Sequence, residues 1–311
     1  MIAVNSSKRT IGLALGSGSA RGWAHIGVIR ELCKNGIKPD IVCGTSIGAL
    51  VGAFYASERL DELEGWVLKL DRKVMLHYLD IKLLMGGGFV EGKRLIDFFR
   101  ERIGDPLIED LSTVFAAVAT DMESGQEIWL KKGSLLNAVR ASIALPGIFT
   151  PVKMGNRWLV DGGLVNPVPI SLCRAMGAEI VIAVNLNGNI VGKHRNKRLQ
   201  PIERDIKMSA EATLIDRLSE ELKQKANAFL SQLFASNIGT PGLFEVVANS
   251  INIMQDTITR SRMAGDPPDV VIAPRLAHIG LLEFDRAKEG IKEGRESVRH
   301  VLPIIEDLPS W

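Results

Sequence analysis

The chain has 311 residues, enough for one large α/β domain or for one domain with an appendage. Its apolar fraction of 46% and charged fraction of 24% are typical of globular proteins, and a formal net charge of +2 gives no overall field that would favour nucleic acid. The three cysteines, Cys33, Cys43 and Cys173, lack metal-ligand spacing and are typical of core residues in a reducing compartment. We therefore expect neither a disulfide framework nor a metal site.

The N-terminal region contains no clear export signal. Lys8 and Arg9 precede an apolar run that is too short for the apolar part of a signal peptide. No stretch approaches the roughly 20 apolar residues needed to span a bilayer. The sequence therefore predicts a cytoplasmic protein, and it leaves peripheral contact with a membrane open.

Strand-length apolar runs alternate with helix-length amphipathic segments over the first two thirds of the chain. This order predicts an α/β fold with a mainly parallel central sheet flanked by helices. In chain order, the predicted strands are residues 11–15, 41–43, 114–119, 128–130, 158–160 and 180–184. The predicted helices are residues 22–32, 47–56, 60–70 and 94–103, with a flexible glycine break at residues 86–88.

The composition changes after about Asn185. A basic run at residues 192–198 predicts a linker or exposed loop, and the basic residues of 193–198 could also attract anionic lipid. The elements expected beyond it are an amphipathic stripe over residues 215–233, a helix over 244–262, a strand over 270–273 and a helix over 286–301. We expect a core over residues 11–185, and over 186–311 a linker and mostly helical extension that packs on the core and is not an independent domain. The polar face of the stripe mixes both charge signs, which favours packing on the core or on a second subunit over membrane insertion, so a homo-oligomer is left open.

A serine lies between two glycines in Gly44-Thr45-Ser46-Ile47-Gly48, after a buried strand pattern and before a helical one. In this context the turn can present the Ser46 hydroxyl as a nucleophile, because Gly44 and Gly48 remove side chains that would collide there. The start of the following helix adds the positive end of its dipole near a developing oxyanion. The alternative is an ordinary turn, since glycine and serine are common in turns.

Two further motifs flank this serine in the sequence. The segment 16–22 (GSGSARG) closes the first strand and opens a helix, so its backbone amides could bind a phosphate or the oxyanion of a tetrahedral intermediate. Asp161-Gly162-Gly163 follows a predicted strand, and its paired glycines let the backbone approach the serine turn closely. A serine hydroxyl needs a base within hydrogen-bond reach. The combination predicts an acyl hydrolase whose serine is activated directly by Asp161.

At these three motifs the chain resembles the patatin-like phospholipases, over roughly residues 11–184, and through residues 262–269 it resembles the bacterial RssA-like subgroup. The family pattern combines a glycine-rich loop with a basic position, a Gly-x-Ser-x-Gly turn and an Asp-Gly-Gly or Asp-Gly-Ala motif. The resemblance implies a three-layer sandwich of helices and sheet. It also implies hydrolysis of a fatty-acyl ester of a phospholipid or lysophospholipid, with no metal and no cofactor.

The resemblance also implies a role for each motif. Ser46 would be the nucleophile and Asp161 the proton acceptor, and the reaction would pass through an acyl-enzyme. Ser17 departs from the family pattern, in which glycine is usual, and its amide stays a donor if this position needs no positive φ. The loop residues assigned to oxyanion binding and loop support are Gly16, Ser17, Gly18 and Arg21.

Three other interpretations stay open. A Ser–His–Asp hydrolase would need a histidine after the acid, but His194, His278 and His300 have no supporting pattern, and His25 is expected to be a packed or capping residue. A dinucleotide site is disfavoured because the glycine spacing is GxGxxxG and because Asp40 precedes the second strand. A regulatory or scaffold protein that keeps the fold without turnover is the third, because a fold does not establish a function.

Overall fold

A computed structural model describes residues 9–71, 81–82, 89–90, 92–188 and 243–308. The predicted glycine break at 86–88, the basic run at 192–198 and the amphipathic stripe at 215–233 lie outside these residues.

A mixed eight-stranded sheet forms the centre of the fold. Its strands are β1 (Ile11–Leu15), β2 (Ile41–Thr45), β5 (Val114–Asp121), β6 (Glu127–Leu130), β7 (Val152–Met154), β8 (Arg157–Asp161), β9 (Ile180–Val184) and β10 (Val270–Ile272). They lie in the order β10-β9-β1-β2-β5-β8-β7, and β6 also pairs with β5. The neighbours from β10 to β5 are parallel, whereas the pairs β5–β6, β5–β8 and β8–β7 are antiparallel. The short strands β3 (Ile81–Lys82) and β4 (Phe89–Val90) form a separate pair. The mainly parallel sheet flanked by helices is confirmed, with an antiparallel portion beyond β5.

Helices cover both faces of the sheet. The described helices are α1 (Ala24–Lys34), α2 (Ile47–Ala56), α3 (Leu60–Val67), α4 (Lys93–Ile103), α5 (Leu135–Ser142), α6 (Ile170–Ala175), α7 (Leu243–Gly265) and α8 (Ala287–Glu306). The first helix begins later than predicted, because residues Ser19–Trp23 form a 3₁₀ turn before it.

The core lies on both sides of the sheet, which explains why the central strands are apolar without alternation. Leu13 and Leu15 of β1 point into the larger apolar cluster, whereas Ala14 packs with Leu172 of α6 on the opposite face. The carboxyl ends of β1 and β2 meet at one edge of this three-layer arrangement. The loop that follows β1 and the turn that follows β2 are therefore neighbours, as is usual for sites in α/β folds.

The chain after residue 243 adds to both the sheet and one helical layer. Strand β10 pairs in parallel with β9, from Val270 opposite Ile182 to Ile272 opposite Val184. Helix α8 packs on α1 so closely that a Cβ at Gly294 would collide with the carbonyl oxygen of Ala24. The division of the chain between residues 185 and 186 stays a prediction.

Candidate active site

The turn between β2 and α2 holds Ser46 in an unusual backbone conformation. Its φ of 57° and ψ of −123° lie outside the common regions for a residue with a side chain. The turn is tight on both sides, because a Cβ at Gly44 would collide with the backbone of Ala49 and one at Gly48 with the carbonyl of Leu15. Glycine at these two positions allows the close approach that a strand–serine–helix turn requires.

Asp161 lies within hydrogen-bond reach of this serine. The Ser46 hydroxyl donates to Asp161 Oδ2 at 2.6 Å. The register of the sheet explains the proximity, since Thr45 of β2 pairs with Val118 of β5, and Asp161 of β8 pairs with Ala119, the next residue of β5. The aspartate therefore reaches the serine on an antiparallel strand.

The carboxylate of Asp161 is buried and oriented. It is only 1% exposed, and its Oδ1 accepts a hydrogen bond from the amide of Gly163 at 2.7 Å. The backbone carbonyl of Asp161 accepts a hydrogen bond from the Thr120 hydroxyl at 2.8 Å, and this bond holds the end of β8. Burial raises the pKa of Asp161 from 3.8 to about 6, against the lowering effect of the hydrogen bonds from Ser46 and Gly163. The carboxylate is therefore a stronger base than an ordinary aspartate, yet it is mostly ionised at pH 7.

A second serine, Ser142, binds the backbone of the Ser46 turn. The amide of Ser46 donates to Ser142 Oγ at 2.9 Å, and this hydroxyl donates to the carbonyl of Val118 at 2.6 Å. Ser142 is fully buried at the end of α5. Nothing in the sequence distinguishes it from other helical serines, so sequence reasoning did not find it.

The backbone amides that the loop after β1 leaves free are not the ones expected from the sequence. The amide of Gly16 donates to the carbonyl of Val184 at 3.1 Å, and that of Ser17 donates to the carbonyl of Pro167 at 2.8 Å. These two amides, predicted to bind the oxyanion, are instead used to anchor the loop to the sheet. Within the described part of the chain, the amides of Gly18 and Ile47 have no hydrogen-bond acceptor. Gly18 and Ile47 both line the cavity in front of Ser46.

Arg21 supports this loop from inside the protein. Its side chain is 2% exposed, and its Nε donates to the carbonyl of Gly18 at 3.2 Å. One terminal nitrogen donates to Asn252 Oδ1 of α7 at 2.8 Å. Burial lowers the pKa of Arg21 to about 10, so the guanidinium stays charged at neutral pH.

His25 contacts the loop and not the serine–aspartate pair. It is fully buried, and its Nε2 lies 2.7 Å from the carbonyl oxygen of Gly16. Burial lowers the pKa of His25 to about 4, so the ring is neutral at pH 7 and donates from Nε2 to that carbonyl. The expectation of a packed histidine agrees with this position. His278 bonds Glu289 on the surface, and His194 lies outside the described residues.

An apolar cavity opens in front of Ser46 and Asp161. It encloses about 930 Å³ when its open mouth is included, and its lining is mainly apolar, as is usual for ligand pockets. No lysine or arginine is among the described residues that line it. The apolar residues around it include Trp23, Leu50, Trp66, Phe99, Ile143 and Phe149.

Among the described residues, no group of three or more His, Cys, Asp or Glu side chains could hold a metal ion.

The family model described as patatin-like phospholipase matches residues 13–174, a span that holds the loop after β1, the Ser46 turn and Asp161. The chain belongs to the patatin-like phospholipase family. Members of this family are generally lipid-hydrolysing enzymes. No comparison distinguishes the RssA-like subgroup, so that finer resemblance stays a prediction.

One relative of this patatin-like phospholipase matches nearly the whole chain, and another matches little more than half of it. An uncharacterised NTE family protein of Mycobacterium bovis is 33% identical over 97% of this chain and 93% of its own length. Patatin-like phospholipase domain-containing protein 7 of Mus musculus is 35% identical over 57% of this chain and 13% of its own length. The solved structure of VipD from Legionella pneumophila matches 95% of this chain and 67% of its own chain, with 12% identity and a TM-score of 0.45.

In the described part of the chain, no helix is both long enough and apolar enough to cross a membrane.

Proposed function

We propose that this patatin-like phospholipase is a serine acyl hydrolase in which Ser46 is the nucleophile and Asp161 is its general base. The observation that carries the proposal is the 2.6 Å hydrogen bond from the Ser46 hydroxyl to the buried Asp161 carboxylate. A serine needs such a base to become nucleophilic, and the distance is within the range expected for a nucleophile and its base.

In the first half of the reaction, Asp161 Oδ2 takes the proton as Ser46 Oγ bonds to the ester carbonyl carbon. The negative charge moves to the carbonyl oxygen, where the amides of Gly18 and Ile47 are available as donors. The intermediate collapses when the bond from the acyl carbon to the leaving alcohol oxygen breaks. Asp161 returns the proton to this alcohol oxygen. The acyl group is then bound to Ser46 as an ester.

In the second half, water replaces the alcohol. Asp161 takes a proton from the water as its oxygen bonds to the acyl carbon. The bond to Ser46 Oγ then breaks, the proton returns to Oγ, and a fatty acid leaves. The scheme uses Asp161 alone for proton transfer. Among the described residues, the buried histidine is His25, and it bonds the carbonyl of Gly16.

The cavity favours a fatty-acyl ester of a phospholipid or lysophospholipid as the substrate class. Its apolar walls suit a hydrocarbon chain, and the absence of a cationic side chain among the described lining residues leaves a phosphate-bearing headgroup to lie outside. The acyl chain would occupy the cavity, with the ester carbonyl at Ser46.

We further propose peripheral contact with a lipid surface through α7. Ile251 of this helix lines the cavity, and Val246, Val247, Ile253 and Met254 are each at least 44% exposed. An exposed apolar patch on a helix beside a site for a lipid substrate favours insertion among acyl chains.

The test of the catalytic proposal combines covalent labelling with a lipid panel. A fluorophosphonate probe should label the wild-type protein on Ser46, and phospholipid or lysophospholipid should be hydrolysed without added metal. Ser46→Ala should abolish both signals, and Asp161→Asn should reduce hydrolysis by at least about 10³-fold, because the serine loses its base. Thermal unfolding shows that each variant is folded. A folded wild-type protein with neither labelling nor hydrolysis would contradict the proposal and would favour a regulatory or scaffold role.

A further inference from the structure

Helix α7 turns a polar face toward the protein interior. Its buried side chains in the described part of the helix are Asn252, Gln255, Asp256 and Thr259, each 7% exposed or less. A helix on a globular core normally buries an apolar stripe, and here the apolar Ile253 is on the exposed side. Burial of apolar area therefore does not explain why this face lies inside. Polar side chains that are buried this deeply normally have specific partners.

Two of these side chains have partners in the loop after β1. Gln255 Oε1 accepts the Ser17 hydroxyl at 3.1 Å and the Asn187 side-chain amide at 3.0 Å. Asn252 Oδ1 accepts a terminal nitrogen of Arg21 at 2.8 Å, and the Nε of the same arginine donates to the carbonyl of Gly18. The two contacts from α7 therefore lie on either side of Gly18.

We propose that Gln255 and Asn252 are positioning residues that fix the Gly18 amide for oxyanion binding; this rests on the proposed function. The free amide of Gly18 has to be held in place before the reaction, because a donor that must reorganise loses its stabilising effect. Gly18 has no side chain of its own with which to be anchored. Side chains of α7 anchor the loop on both sides of Gly18. Gln255 accepts the Ser17 hydroxyl, and Asn252 accepts the guanidinium of Arg21, which bonds the Gly18 carbonyl.

Two features show that these contacts are additional to the family motifs. Helix α7 lies outside residues 13–174, the span that the family model matches. Ser17 occupies a loop position at which the family pattern has glycine, and a glycine could not donate the hydrogen bond to Gln255. The hydrogen bond from Ser17 to Gln255 therefore depends on a side chain in the loop and on a helix outside the matched span.

The experiment compares Gln255→Ala, Ser17→Gly and the double variant, with Ser250→Ala as the matched control on the exposed face of α7. Each protein is assayed for kcat and KM on a soluble short-chain p-nitrophenyl ester, and for inhibition by a trifluoromethyl ketone. This ketone forms a tetrahedral adduct with the serine and so reports oxyanion binding. Thermal unfolding accompanies each assay.

Gln255→Ala should lower kcat about 10- to 100-fold, as expected for a displacement near the reacting atoms, with KM changed by less than about twofold. The ketone should bind more weakly by a similar factor. Ser17→Gly should lower kcat as well, and the double variant should be less impaired than the product of the two single effects, because both remove one shared hydrogen bond. Asn252→Ala should lower kcat, whereas Asn252→Asp, which keeps the acceptor for Arg21, should retain most of it.

The proposal is overturned if folded Gln255→Ala and Ser17→Gly match Ser250→Ala within about twofold in both kcat and ketone inhibition. If Gln255→Ala does not fold, Ser17→Gly decides, since it removes the same bond from the loop side. Failure of the proposed function is recognised separately: Ser46→Ala would then leave turnover and labelling unchanged. A positioning failure instead leaves both dependent on Ser46.

Discussion

The amide of Ser46 donates to Ser142 Oγ at 2.9 Å, and the same hydroxyl donates onward to the carbonyl of Val118 in β5. The turn that carries the candidate nucleophile is thereby tied to the strand that pairs with β8, which carries Asp161. One buried hydroxyl thus helps to set the distance between the two reacting side chains.

Ser142→Ala should therefore affect both stability and turnover. The substitution leaves the Ser46 amide and the Val118 carbonyl without this partner, and an unsatisfied buried polar group costs about 1–3 kcal/mol. We expect a lower unfolding temperature and a kcat reduced about tenfold, because the turn shifts relative to Asp161. Ser112→Ala, at an exposed serine, is the control. An unchanged kcat would show that Ser142 does not position the turn.

The rate of hydrolysis should follow the ionisation of Asp161. Burial raises the pKa of this carboxyl to about 6, and only the carboxylate can accept the Ser46 proton. We expect kcat/KM on a soluble ester to rise through a midpoint near pH 6 and to level off above pH 7. A profile whose midpoint lies well away from pH 6 would contradict Asp161 as the base.

Asp161→Asn should stabilise the fold at neutral and alkaline pH. The folded protein holds the Asp161 proton more tightly than the unfolded chain, so the free energy of unfolding falls as pH rises from about 4 to about 6. A shift of about two pKa units corresponds to at most about 3 kcal/mol. The variant should unfold at a higher temperature than wild type at pH 8, with no gain at pH 4. Equal unfolding temperatures at pH 8 would contradict the raised pKa.

Much of this arrangement could be predicted from the sequence because the motifs are local. The Ser46 turn combines a buried strand, paired glycines and a helix within residues 41–56, and the Asp-Gly-Gly motif is a single tripeptide. The amides of Gly16 and Ser17 could not be assigned in this way, since their acceptors Val184 and Pro167 lie far along the chain. The contacts of α7 are more distant still, and no spacing rule links Ser17 to Gln255.

His25→Phe should destabilise the protein without changing the pH dependence of catalysis. The ring donates to the carbonyl of Gly16, and its removal leaves that buried acceptor without the histidine, at a cost of about 1–3 kcal/mol. Since His25 is neutral and bonds the loop backbone, the midpoint of kcat/KM near pH 6 should remain with Asp161. Thermal unfolding and a pH–rate profile measure the two effects. Loss of the acidic midpoint in the folded variant would assign it to His25.

The exposed apolar side chains of α7 should matter for lipid surfaces and not for soluble esters. Ile253→Ser combined with Met254→Ser removes two side chains that are 54% and 48% exposed. Burial of each such side chain in an apolar phase is worth about 1.5–3 kcal/mol, so binding to phosphatidylcholine vesicles should weaken at least about tenfold. Hydrolysis of vesicle lipid should fall in parallel, while kcat/KM for a short-chain ester stays within about twofold of wild type. Thr257→Ala, on the same exposed face, is the control. Vesicle binding equal to that of the control would show that α7 is not the membrane contact.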